Sequence, residues 1–151
     1  MQFAALSEHS ILKGFCTMIL YSTVGTADIE RAIKFYDAVF GALNVARAPN
    51  WIDGWAGWGG SYDEGYGFWI CRPFDGEAPT SGNGTMFAFR AKDEAQVHAF
   101  HVAAIGNGGS DEGAPGTRPY YESTFYVAYV RDADGNKLAC VYHKHLENPA
   151  I

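Results

Sequence analysis

Apolar side chains recur at helical spacing twice along this chain, and each time a short alternating run precedes them. In the first run, residues 19–25, Leu20, Ser22 and Val24 fall on one face of a predicted strand and Tyr21, Thr23 and Gly25 on the other. Thr26, Ala27 and Asp28 then form a helix-entry signal, since a short polar side chain accepts from the open amides of a first turn. Ile29, Ala32, Ile33, Tyr36 and Phe40 follow on one face, with Glu30, Arg31, Lys34 and Asp37 on the wet side and Gly41 as the stop. The pattern returns 65 residues later, the distance from Asp28 to Asp93: Phe35 falls on Phe100, Ala38 on Ala103 and Gly41 on Gly106. In this second copy residues 85–91 read as a strand and Asp93 as a cap. A helix follows to about Ile105, with Val97, Phe100, Ala104 and Ile105 facing inward.

Strand-like segments trail both copies. After the first, residues 44–48 read as a short strand and part of 55–62 as another. Residues 66–72, YGFWICR, form a near-continuous apolar strand. Residues 50–65 hold three Trp and five Gly, so order there has to come from packing the indoles rather than from backbone preference. Residues 73–83 are rich in Pro, Gly and Ser and predict a linker. After the second copy, 113–119 reads as a loop, 125–131 as a strand, Asp134-Gly135 as a tight turn and 137–143 as the returning strand. The expected architecture is α+β: two tandem βαβββ modules, 18–72 and 84–146, in one domain spanning 18–146. Residues 1–17 are expected to be an extension or added leader, and 147–151 a tail.

The formal charge of −6 argues against a nucleic-acid partner, which needs a basic face. No apolar run approaches the length of a membrane helix. Cys16, Cys71 and Cys140 are an odd set without metal-knuckle spacing, which points to a reducing, cytoplasmic setting and to buried thiols at Cys71 and Cys140.

Three stretches, FYDAVFGAL at 35–43, GAPGTRPYY at 113–121 and FYVAYVRDADGNKLACVYH at 125–143, resemble the glyoxalase/bleomycin-resistance/extradiol-dioxygenase group, the vicinal oxygen chelate superfamily. The resemblance implies that the curved sheets of the two modules build a cup with the active site inside, and that the protein is a homodimer. It also implies a divalent metal held by His, Gln or Glu on the first and last strands of each module. Carried across, those positions fall on Tyr21, Met86 and Ala139. The fourth is Ile70 in an ungapped match, or Trp69 if the turn slips by one residue. None is a usual ligand for a divalent ion in such a site, so no metal and no other cofactor is expected.

The remaining signal is aromatic. Trp51, Trp55, Trp58, Tyr62, Tyr66 and Trp69 cluster in module one, and Tyr121, Phe125, Tyr126 and Tyr129 in module two. The expectation is a small-molecule binder taking a planar or cationic organic guest through Tyr21, Trp55, Trp58, Trp69, Met86, Tyr121, Tyr126 and Ala139. The alternative is a lyase or dioxygenase-type enzyme of the same superfamily. It would use unusual metal ligands, or acid–base chemistry from Tyr21, Glu122 or His143. His98 is expected to face solvent and His101 to pack. His143 and His145 share a strand face, too few for a metal site by themselves.

Overall fold

Asp28 starts the first helix. Its backbone is extended (φ −134°, ψ 97°), and its carboxylate accepts from the Arg31 amide at 3.0 Å. Helix α1, Ile29–Ala42, then buries Ala32, Phe35, Tyr36, Val39 and Phe40. Phe35 and Val39 widen the apolar face beyond the predicted positions. Asp93 does the same for α2, Glu94–Gly106, accepting from the Gln96 amide at 2.7 Å, while the Gln96 side chain reaches back to the Lys92 amide at 2.8 Å. α2 buries Val97, Phe100 and Ala104. Ile105, expected inward, is 41% exposed, because one further step of about 100° carries it past Ala104 onto the wet side.

The computed structural model describes residues 19–49, 52–60 and 67–144. The 1–17 segment, Cys16, Trp51, Tyr62, Tyr66, His145 and the 147–151 tail lie outside the described residues. Among the described residues, no helix is long and apolar enough to cross a membrane.

Strands β1 (Tyr21–Gly25), β2 (Trp55–Gly59) and β3 (Gly67–Cys71) form one sheet in the order β1-β3-β2, with β1 parallel and β2 antiparallel to β3. The strand predicted over 44–48 shrinks to a single bridge between Arg47 and Trp58; Asn44, at φ 60°, turns the chain out of an extended path. In module two, β4 (Phe87–Arg90), β5 (Ser110–Gly116), β6 (Phe125–Arg131) and β7 (Lys137–His143) form a sheet in the order β4-β7-β6-β5. The loop predicted over 113–119 is therefore corrected in its first half: β5 runs through Gly116, paired to β6 with register shifts near Gly113.

Each sheet carries a helix on one face, and these helix-bearing faces share one core. Phe68 of β3 meets Phe87 and Phe89 of β4 edge-on at 5.5 and 5.3 Å, and Phe40 of α1 meets Phe89 at 4.9 Å. The turn after β6 clasps the start of α1. Asp134 accepts from the Thr26 hydroxyl at 2.7 Å and from the Ala27 amide and Arg31 guanidinium at 3.1 Å each. The Asn136 amide group donates to the Gly25 carbonyl at 3.0 Å. With the helix-bearing faces joined, the opposite faces of the two sheets are separate outer surfaces of the chain.

Candidate functional site

On the outer face of the first sheet, alternation lines up Tyr21, Thr23 and Gly25 with Gly67, Trp69 and Cys71 of β3, and these with Gly59, Gly57 and Trp55 of β2. The glycines are there for the indole. A Cβ at Gly57 would stand 2.4 Å from the Trp69 ring, and one at Gly67 would stand 2.7 Å from its Nε1, so Trp69 lies flat across the backbone of its neighbours. Tyr21, 50% exposed, stands on the same face opposite Gly67. Trp55 and Cys71 are half-buried beside them, and burial pushes the Cys71 thiol up from its ordinary value.

The outer face of the second sheet carries Ala88 and Arg90 on β4, Lys137, Ala139, Val141 and His143 on β7, and Phe125, Val127, Tyr129 and Arg131 on β6. Arg118 and Lys137 both lie over the Tyr129 ring, each 5.4 Å from its centre. Burial, then a hydrogen bond with Tyr121, pushes the Tyr129 phenol up to about 12. Arg118 also donates to the carbonyls of Ala114, Gly116 and Thr117, folding the loop that follows β5. That loop seats Tyr121 with its ring 4.7 Å from Phe125, and Phe125 meets His143 edge-on at 5.8 Å.

These two faces sort the sequence-derived candidates. Tyr21, Trp55 and Trp69 are together on the first. Ala139 lies buried in the second, opposite Ala88 and Tyr129, and Tyr121 packs from the loop against Phe125 of the same face. Met86 lies just ahead of β4 and is 42% exposed. Trp58 faces the other way: it is buried under α1, stacked on Phe40 at 5.4 Å, with its Nε1 donating to Asp37 at 3.0 Å. Tyr126 also lies on a helix-bearing face, its hydroxyl 2.8 Å from His98 Nε2. Ile70 is fully buried in the shared core. Parallel pairing of Thr23 with Trp69 in module one matches that of Ala88 with Ala139 in module two, so Trp69, not Ile70, is the counterpart of Ala139.

Of the acid–base candidates, Glu122 and His143 come together, Oε2 to Nε2, at 3.9 Å, beyond hydrogen-bond reach. The Glu122 side chain is 76% exposed. Tyr21 is on the other sheet. His101, expected to pack, is tied by Nε2 to Asp111 at 2.8 Å. Among the described residues, no three His, Cys, Asp or Glu side chains group as a metal cluster would. The glycine bed under Trp69 and the cations over Tyr129 were not read from the sequence. Alternation in WAGWG against GFWIC is the signal that finds the first.

The model of the Glyoxalase/Bleomycin resistance protein/Dioxygenase superfamily matches residues 18–140. No curated protein matches the chain. Among solved structures, a glyoxalase/bleomycin resistance protein from Albidiferax ferrireducens T118 is 36% identical with a TM-score of 0.72, covering 82% of this chain and 97% of that one. A glyoxalase-related enzyme from Fulvimarina pelagi is 17% identical with a TM-score of 0.66, covering 85% and 89%. A glyoxalase/bleomycin resistance protein/dioxygenase family enzyme from Burkholderia phytofirmans PsJN is 21% identical with a TM-score of 0.61, covering 81% and 95%. The last two carry the fold alone.

Proposed function

The chain belongs to the glyoxalase/bleomycin resistance/dioxygenase superfamily, and on that premise we propose that it binds a small planar aromatic molecule without a metal ion, on the face headed by Tyr21 and Trp69. The observation that carries this reading is the Trp69 indole lying flat over Gly57 and Gly67. It stands at one of the four positions where the family resemblance calls for a metal ligand. The other three offer the phenol of Tyr21, the thioether of Met86 and the methyl group of Ala139. An indole N–H only donates, a methyl group cannot ligate, and a thioether suits soft ions, so this donor set does not fit a divalent ion.

A flat ring is what such a floor accepts. An aromatic pair adds about 0.5–1.5 kcal/mol beyond the area it buries. Of the two guest classes that the aromatic content suggests, the cationic one is disfavoured by Arg118 and Lys137, which already lie over the Tyr129 ring. The guest is enclosed in a homodimer, in which the outer face of the second sheet of one copy covers the outer face of the first sheet of the other. What supports this pairing is that the faces are separate surfaces within one chain, with Tyr21, Met86 and Tyr121 between 42% and 50% exposed.

The test is titration of a panel of planar aromatic dyes against tryptophan fluorescence, with sedimentation to read the assembly. Saturable quenching that weakens roughly tenfold in Trp69→Ala is expected. Quenching that never saturates, or that is unchanged in Trp69→Ala, overturns the reading. The enzymatic alternative draws on the approach of Glu122 to His143. Stoichiometric zinc, nickel, iron or manganese that survives dialysis would favour a metal-dependent enzyme instead.

A further inference from the structure

A cavity of about 180 Å³ opens where the two modules join, with Gly59 of β2 and Arg90 of the edge strand β4 among its lining. We infer that it is a second binding site, built for a small aromatic carboxylate. Its walls are the rings of Phe40, Trp58, Phe68 and Phe89. These rings already tile against one another, Phe40 stacked on Trp58 at 5.4 Å and edge-on to Phe89 at 4.9 Å, so a further ring continues the same packing. The volume suits one ring and a short arm, since an apolar cavity of about 150 Å³ takes a single benzene.

Nothing inside the cavity satisfies a polar group. The indole N–H of Trp58 is spent on Asp37 at 3.0 Å. The Phe40 carbonyl at the end of α1 already accepts from the amides of Leu43 and Val45, both at 2.9 Å. The carboxylate of Asp37 is also answered, by Arg47 at 3.3 Å, so it does not repel an anion. The guest's polar end must therefore face the mouth, and the charged group lining the cavity is Arg90. Among the described residues, the Arg90 side chain makes no ion pair and no hydrogen bond. A guanidinium fork left open beside an aromatic pocket matches a carboxylate in charge and in shape.

The probe is sodium phenylacetate, with phenylacetamide as its neutral match, followed by the methyl resonances of Leu43 and Val45, which also line the cavity. Saturable shifts at both residues are expected with phenylacetate. Phenylacetamide, or the Arg90→Gln variant, is expected to bind at least about tenfold more weakly. Val45→Phe fills the space and removes binding, while Trp69→Ala leaves it unchanged, which separates this site from the proposed aromatic face. Absence of saturable shifts at Leu43 and Val45 across the millimolar range overturns the inference. Equal affinity for the acid and the amide, or loss of the shifts in Trp69→Ala, overturns it too.

Discussion

Tyr36 and Asp132 meet across the join between the modules, the phenol of α1 donating to the carboxylate after β6 at 2.8 Å. The same carboxylate oxygen accepts from the Asn136 side chain at 2.8 Å, and its other oxygen accepts from the Asn136 and Asp134 amides. Burial first, then the Asp132 charge, holds the Tyr36 phenol well above its ordinary range. A phenol raised in this way adds stability that is complete below about pH 10 and drains away as pH climbs past the ordinary tyrosine range. Tyr36→Phe is expected to cost about 1–3 kcal/mol at neutral pH and to flatten the alkaline fall. Urea titrations between pH 7 and pH 11 read both; a variant as stable as the parent, with the same alkaline slope, refutes it.

Asp134 clasps the entry to α1 through Thr26, Ala27 and Arg31, and its side chain is only 7% exposed. Asp134→Ala leaves those donors without their acceptor and is expected to destabilise by about 2–3 kcal/mol. Asp134→Asn keeps one acceptor oxygen and should cost about half as much. Equal losses for the two variants in chemical denaturation would show that charge, not geometry, carries the clasp.

Gly57→Ala drives a methyl group into the Trp69 ring and is expected to cost about 1–3 kcal/mol, with the indole displaced and its emission shifted. Gly41→Ala, at a position with nothing within 4 Å, is the control and should be neutral or mildly stabilising. Matching thermal midpoints for Gly57→Ala and the parent would mean that Trp69 does not lie on the backbone.

Burial pushes the Cys140 thiol up to about 12 and raises that of half-buried Cys71 less far. With Cys16 replaced by Ser, a thiol reagent at pH 8 is expected to modify Cys71 slowly and Cys140 only after denaturant is added. Peptide mapping gives the order, and early labelling of Cys140 would contradict it.

The elements with an unbroken period were legible from the chain: the two helices with their Asp caps, and β6 and β7 to the residue. β5 was not, because SDEGAPG has neither alternation nor β-branched residues and owes its extended form to pairing with β6. Faces were harder than elements. Trp55 and Trp58 are three apart on one strand, so they must lie on opposite faces, yet nothing local says which of them meets α1. The choice between Trp69 and Ile70 depended on a one-residue slip that only the ladder to β1 resolves.

The stretch joining β3 to β4 bears little of the load of holding the halves together, since the shared aromatic core and the Asp134 clasp do that. Phe74 on it is fully open to solvent. A chymotryptic nick there should thus yield a molecule in two pieces that still migrates as one through a sizing column. The fragments would part only in denaturant, and the split halves, expressed separately, should find each other on mixing.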